Sequence, residues 1–576
     1  MLKPVVAVAI ALVGLAACSE SAEGIAGADV IFTNGKVYTL DAAMPWAEAV
    51  VVRGDSIVYV GDDAGAAAYG GEATQRIDLG ASLLLPGFID SHIHPIDEGG
   101  LATALSLQTE SGSIETWLQA IADYAAANPD KEVVYGYGFM ASAFGANGPS
   151  REMLDAVVPD RPVLILDEGL HSAWVNSAAL KRLNITRDTP DPVPGFSYYK
   201  RDANGDATGF LLEGTAFMAM AGLEVASTEV VVEGTAIVID LLNSNGVTSV
   251  FDAGTFHASA GFVNDVLAAL EAQGKLTVRV VGSTLVMDAD QVDTAAATAE
   301  QWRKLIRGKN YHYGTLKILD DGTIEGRTAA MFEDYRGEGI EPGNAGSTVF
   351  TEAELVEMIA AAAALNIDVH VHALGERAVH EALNAIEAVR EIAPDSDSRY
   401  TLTHIQVVTD QDVPRFGELG VIAQSTPLWA TYDTYGKEFI SEDQFQRYFR
   451  FRSIEDAGGR LAFGSDFPAS GLGVMGLSPL LQIELGHTRR YPGDPDSPLQ
   501  PRASERLDVA SLVRGFTLGA AYQLHMEDQI GSIEAGKRAD LVVLDRNIFE
   551  IDPFTIHETA VVLTMMDGII VYTDDD

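Results

Sequence analysis

The densest chemical signal in the chain is Leu84-Leu-Pro-Gly-Phe-Ile-Asp-Ser-His92-Ile-His94-Pro, two imidazoles spaced by one residue at the close of an apolar run. Successive side chains of a strand point to opposite faces, so His92 and His94 share one face. Two neutral imidazoles side by side suit a borderline cation such as zinc. Three later segments have the same form, an apolar run that stops at a polar side chain. They are Asp368-Val-His370-Val-His372-Ala-Leu-Gly-Glu376, Thr401-Leu-Thr-His404 and Leu461-Ala-Phe-Gly-Ser-Asp466-Phe-Pro. Taken alone, each has a plainer explanation: a satisfied core histidine, or an aspartate capping the next helix. The weight lies in their order along the chain. Cys18 is the only cysteine, which excludes a disulfide framework and any cysteine-rich zinc or iron–sulfur site. A metal here needs histidine and carboxylate ligands.

These residues need a scaffold that gathers strand ends. Apolar runs predict strands at Leu83–Asp90, Thr248–Asp252, Thr277–Val286, Gly314–Leu319, Asp368–His372, Tyr400–His404, Val421–Gln424 and Arg460–Asp466. Amphipathic stretches between them predict helices at Val232–Ser244, Gly261–Gln273, Glu352–Leu365 and Glu376–Ile392. Alternation of this kind is the α/β pattern of a (β/α)8 TIM-type barrel, whose active sites lie at the C-terminal ends of the strands. Short β-like runs at 29–61 return at 539–572, so both chain ends are expected to build one small β-sandwich. The expected domains are 24–82 and 526–576 for the sandwich and 83–525 for the barrel. Residues from about 100 to 230 exceed any ordinary connection after strand 1 and predict a large insertion.

Acidic residues outnumber basic ones by 83 to 38, a formal charge of −45 that repels phosphate backbones and argues against nucleic-acid binding. No phosphate-binding loop and no dinucleotide fingerprint is visible, so the expected partner is a small-molecule substrate. The chain opens with Lys3, an apolar stretch from Val5 to Ala17 and then Cys18-Ser19. That stretch is short for a membrane span and predicts a lipoprotein-type signal over 1–18, with Cys18 lipidated; a plain secretory signal is the alternative. Either way an exported protein is expected, in the bacterial periplasm or cell envelope, held to a membrane by the Cys18 anchor in the first case. The sequence is compatible with an oligomer.

Read together, Pro86-Gly-Phe-Ile-Asp-Ser-His92-Ile-His94, His372, His404, Gly464-Ser-Asp466 and the closing Gly531-Ser-Ile-Glu-Ala-Gly-Lys-Arg-Ala-Asp-Leu-Val-Val-Leu544 resemble the amidohydrolase superfamily. Tyr135-Gly-Tyr-Gly-Phe139, Asp167-Glu-Gly-Leu-His171-Ser-Ala-Trp-Val-Asn176, Gly209-Phe-Leu-Leu-Glu213, Gly246-Val-Thr-Ser-Val-Phe-Asp252 and Lys317-Ile-Leu-Asp-Asp-Gly322 narrow the resemblance. They resemble amidohydrolase family 3, the YtcJ-like group that includes N-substituted formamide deformylase. The resemblance covers nearly the whole chain after Cys18. It implies a metal-dependent hydrolase acting on a carbon–nitrogen bond other than a peptide bond. It also implies that His92, His94 and Asp466 hold one divalent metal, with zinc the expected ion. His372 and His404 can hold a second, and Lys317 matches a position that some relatives carbamylate to bridge two ions. A plain lysine that binds substrate, or pairs with Asp320 or Asp321, is the alternative.

In the mechanism that follows, Asp466 takes a proton from water and returns it to the leaving nitrogen, and His404 or His171 stabilises the oxyanion. His171 is expected to touch substrate, or else to cap a helix starting near Ser172. His370 is a supporting or substrate group, and Tyr137, Phe139 and Trp174 are candidates for an apolar pocket wall or for core. Glu213 and Asp252 read first as structural. Glu376 and Thr403 depart from the family pattern, which commonly has Asp and Glu at those positions. The competing functions are a lactonase or phosphotriesterase-like hydrolase on the same scaffold, and a surface-anchored binding protein without turnover.

Overall fold

A computed structural model describes residues 27–574, apart from 103, 109–112, 226–227, 257, 338–339, 341, 432–435 and 471. The signal segment and Cys18 lie outside the described residues. Among those described, no helix is long and apolar enough to cross a membrane.

Eight parallel strands form the central sheet: β1 (Phe88–Ile93), β2 (Val247–Asp252), β3 (Arg279–Val286), β4 (Tyr311–Leu319), β5 (Asp368–Ala373), β6 (Tyr400–His404), β7 (Ile422–Ser425) and β8 (Arg460–Phe463). They pair in chain order from β1 to β8. The ring closes through the residues just past β8: Asp466 N donates to His92 O at 2.7 Å, and His94 N donates to Phe467 O at 3.1 Å. Asp90 reinforces this seam by accepting from Ser465 N at 3.0 Å. Gly464 permits the approach, because a side chain there would collide with the His92 backbone nitrogen. The expected barrel is therefore present. Its strands run as β-branched and leucine-rich stretches because both faces are covered, the inner by packed side chains and the outer by helices.

One expected strand is divided and another is cut short at its C-terminal end. Leu83–Asp90 is not one strand: Leu83–Pro86 pairs antiparallel with Leu541–Leu544 in a separate six-stranded sheet, and β1 starts at Phe88. Gly87 is the break, where a side chain would collide with Thr248. A single apolar run thus crosses from one domain to the next, since both sheets bury it. Arg460–Asp466 also shortens, with the strand ending at Phe463 so that Gly464-Ser-Asp466 can turn back toward β1.

The six-stranded sheet and a four-stranded sheet from residues 30–78 enclose one apolar core built from both chain ends, including Phe32, Val50, Leu84, Leu541 and Met565. This is the expected sandwich. Buried Arg279 on β3 ties it to the barrel, with Nη1 and Nη2 each 2.7 Å from a carboxylate oxygen of Asp540 and Asp567.

The insertion is a third layer. It carries its own sheet, in the order Tyr198–Arg201, Ala207–Leu212, Ser172–Val175, Val163–Asp167, Val134–Phe139 and Leu105–Ser106. Register places Ser172 opposite Leu212, so the residues flanking that pair, His171 and Glu213, emerge together at one edge.

Candidate metal centre

His92, His94 and Asp466 converge at the β1–β8 seam, all buried, with one ligand atom from each lying within 4.8 Å of the others. Asp466 Oδ1 stands 3.4 Å from His92 Nε2 and 3.5 Å from His94 Nε2, and its Oδ2 stands 3.6 Å from His404 Nδ1. Residues from β1, β6 and the turn after β8 therefore meet around one carboxylate.

Hydrogen bonds behind the rings set which nitrogen faces the centre. His94 Nδ1 lies 2.7 Å from the Gly254 carbonyl, which can only accept, so Nδ1 carries a proton and in the neutral ring Nε2 keeps its lone pair. His92 Nδ1 lies 2.9 Å from Thr403 Oγ1, and that hydroxyl donates its one proton to Gln424 Oε1. The Gln424 amide is oriented by its Nε2, which faces the Ser425 carbonyl at 3.3 Å. Thr403 thus accepts from His92 Nδ1–H, and again Nε2 is left with its lone pair. Two imidazoles with the tautomer a cation requires, beside a carboxylate, fit a divalent metal. The sequence did not mark Thr403 and Gln424 as ligand supports, since neither carries a charge.

The electrostatics agree with neutral rings. Burial, followed by the nearby Lys317 and other histidines, holds His92 well below the ordinary histidine value, and burial does the same for His370, His372 and His404. His94 is the exception: burial lowers it, but hydrogen bonding and attraction to Asp466 outweigh that and raise it. Burial brings Lys317 down to about 7, against an opposing pull from Asp466. Its Nζ lies 3.2 Å from His92 Nε2. Asp321 is committed elsewhere, accepting backbone N–H groups of Ala330, Leu374 and Gly375.

The remaining expected residues fall into three groups. His372 packs against His404 with ring centroids 4.4 Å apart, and its buried Nε2 has no hydrogen-bond partner. His370 sits behind His92, with Nε2 3.0 Å from His92 Nδ1 and its ring stacked on Phe251. His171 reaches over from the insertion, its ring centroid 5.7 Å from that of His372. It caps no helix: Ser172–Val175 is a strand, and the helix that follows starts at Ser177 with Asn176 as its cap. Phe139 and Trp174 are not a pocket wall; both are fully buried in the core of the insertion, edge to face at 5.9 Å. Tyr137 is buried on the opposite face of that sheet, in the layer that contains Leu101 and Leu164. Glu376 is structural, bonded to Arg447 at 2.6 Å and Gln444 at 3.0 Å. Asp252 accepts from the Tyr313 hydroxyl and from Gly254 N.

Backbone strain gathers at the same rim. His404, Ile405 and Asp466 have φ of +72°, +41° and +52°. Left-handed conformations in residues with a Cβ cost about 1–3 kcal/mol each and persist where surrounding structure enforces them. β-Branched Ile405 is the most costly of the three.

The sequence matches amidohydrolase family 3 over residues 75–572. The chain belongs to the amidohydrolase family. Several relatives span almost all of it. YtcJ of Bacillus subtilis is 29% identical over 94% of this chain and 99% of its own length. N-substituted formamide deformylase of Arthrobacter pascens is 28% identical over 94% of this chain and 98% of its own. Among solved structures, an uncharacterized metal-dependent hydrolase of Pyrococcus horikoshii superposes with a TM-score of 0.69 at 23% identity, over 91% of this chain and 99% of that one. The family resemblance carried by the ordered motifs is borne out, and with it the amidohydrolase barrel. By its family this chain is a hydrolase, and it carries a buried histidine–carboxylate donor set able to hold a metal ion.

Proposed function

We propose that the protein hydrolyses a carbon–nitrogen bond other than a peptide bond, of the amide or N-substituted formamide class, with one or two zinc ions. The single observation that carries the reading is the convergence of His92 Nε2, His94 Nε2 and Asp466 at the barrel rim, with both tautomers set for a cation. The relation to a formamide deformylase supports the choice of bond.

His92, His94 and Asp466 would hold a divalent ion, whose chemistry when bound would be to lower the pKa of water toward ~7 and so make a nucleophile available at neutral pH. The rest falls to the chain. Asp466, beside both Nε2 atoms, takes a proton from the attacking water and delivers it to the leaving nitrogen. His404, 3.6 Å from Asp466, and His171, with its ring centroid 5.7 Å from that of His372, stabilise negative charge on the substrate oxygen in this reading. His372 Nε2, buried 3.9 Å from Asp321 Oδ1, and His404 would be the donors for a second ion. Carbamylation of Lys317, in which the neutral amine adds to carbon dioxide and releases a proton to solvent, would complete that second position; burial lowers the amine's pKa to about 7.

Metal analysis with a panel of N-formyl and N-acyl compounds tests this. Zinc-dependent hydrolysis of at least one compound, lost on chelation and restored by zinc, is expected. Hydrolysis that survives full chelation contradicts it. We also propose that the protein is exported and lipid-anchored at Cys18, on the signal read in the sequence.

A further inference from the structure

The insertion supplies more than a cover. Its strands Ser172–Val175 and Ala207–Leu212 lie antiparallel, and their ends bring His171 and Glu213 together: Glu213 N donates to His171 O at 2.7 Å, and His171 Nδ1 stands 2.6 Å from Glu213 Oε2. The second Glu213 oxygen, Oε1, accepts from Thr328 Oγ1 at 3.0 Å, and Thr328 belongs to the barrel segment that follows β4 and Lys317. Thr328 is itself fixed, accepting from Thr323 N at 3.0 Å. Gly322 makes room, since a Cβ there would lie 2.7 Å from Glu213 Oε1 and would also strike Thr328 Oγ1. Leu170 and Glu213 pay for the geometry with φ of +61° and +52°. Glu213 is 2% exposed, so this carboxylate spends both oxygens on the imidazole and the barrel and none on solvent.

We propose that Glu213 is a positioning residue for the reaction, locking His171 so that its Nε2 edge meets the substrate oxygen beside His372, with Thr328 latching the pair to the barrel. The inference rests on the hydrolase reading above and deepens it. A carboxylate on Nδ1 fixes both the ring orientation and the site of the proton, as it does for imidazoles that serve metals or substrates elsewhere. It also makes the active site a two-body assembly, complete only when the insertion is docked.

The test is a double-mutant cycle on the zinc-loaded, full-length enzyme with Glu213→Gln, His171→Gln and the pair. Each single variant is expected to lower kcat by about 10–100-fold, with zinc content unchanged, and the double variant to fall no more than about threefold below the lower single. Thr328→Val, a smaller change at the latch, is expected to lower kcat in the same direction but less. Losses that multiply, or a Glu213→Gln variant that loses thermal stability yet keeps kcat, overturn the proposal. A second readout does not need turnover: acetate, a carboxylate product, is titrated into enzyme with ¹⁵N-labelled histidine. The His171 Nε2 resonance is expected to move with acetate in the wild type and to require at least tenfold more acetate in Glu213→Gln. An identical titration in both overturns the proposal. Failure of the hydrolase reading shows separately, as a wild type that turns over no carbon–nitrogen substrate.

Discussion

Replacing Asp466 with asparagine removes the charge and the proton-accepting oxygen while keeping the shape. In the structure this carboxylate stands within 3.6 Å of three different imidazoles, on His92, His94 and His404. Two effects follow and are separable. An amide oxygen is a weaker ligand, so zinc affinity falls; measurement across a zinc titration, with bound metal quantified, removes that contribution. What is left at full occupancy is the loss of the proton carrier. General acid–base groups of this kind contribute about 10²–10⁴-fold, or about 2.7–5.4 kcal/mol of barrier at 1.36 kcal/mol per decade. The expected result is a fall in kcat of that size with KM within about threefold, because the proton moves in the transition state and not on binding. Asp466→Asn enzyme that retains more than about a third of kcat at matched zinc occupancy refutes the assigned role.

Four further outcomes are expected. Thr403→Val frees the tautomer of His92, and zinc affinity measured by competition with a chelator falls about 10–100-fold; unchanged affinity removes Thr403 from the site. Gly464→Ala puts a methyl against the His92 backbone and the Asp90 carboxylate at the barrel seam, so both zinc content and melting temperature drop, and a variant with native zinc content contradicts that seam. Glu98 is buried with Oε2 unpartnered, and burial with repulsion from Asp97 raises its pKa to about 8. The folded state then holds a proton that the unfolded chain releases near 4.5, so this group's contribution to stability falls as pH rises from there to about 8. Glu98→Gln should therefore raise the melting temperature at pH 8 relative to pH 5 when each is compared with wild type; parallel curves refute it. Finally, Cys18→Ala is expected to move the protein from the membrane to the soluble envelope fraction, and unchanged membrane association contradicts lipidation.

The parts of the fold that were legible are those where a local period meets a sharp end. The alternation in Phe88–Ile93 places His92 and, one step on, His94, and the same alternation in Asp368–Ala373 separates the two roles of His370 and His372 only once neighbours are known. Periodicity assigns both to one face; the barrel decides that His370 lies behind His92. The domain boundary inside Leu83–Ile93 was hidden because hydrophobicity is continuous across it, and only the partner strand Leu541–Leu544, more than four hundred residues away, separates the two. The sequence marks Asp466 as a site residue but puts it on a strand; a turn with φ of +52° is what aims it. Phe139 and Trp174 were ambiguous for the usual reason, since aromatic residues fill cores and pockets alike. Glu213 sat in a recognised motif but looked structural, because its partner His171 is reached through sheet register and not through spacing.

The most direct test of the central claim is an anomalous-scattering map from zinc-loaded crystals recorded at the zinc edge. A peak about 2.0–2.2 Å from His92 Nε2, His94 Nε2 and an Asp466 oxygen is the predicted result. A zinc peak bound elsewhere, with those three side chains left uncoordinated in an active enzyme, would contradict it.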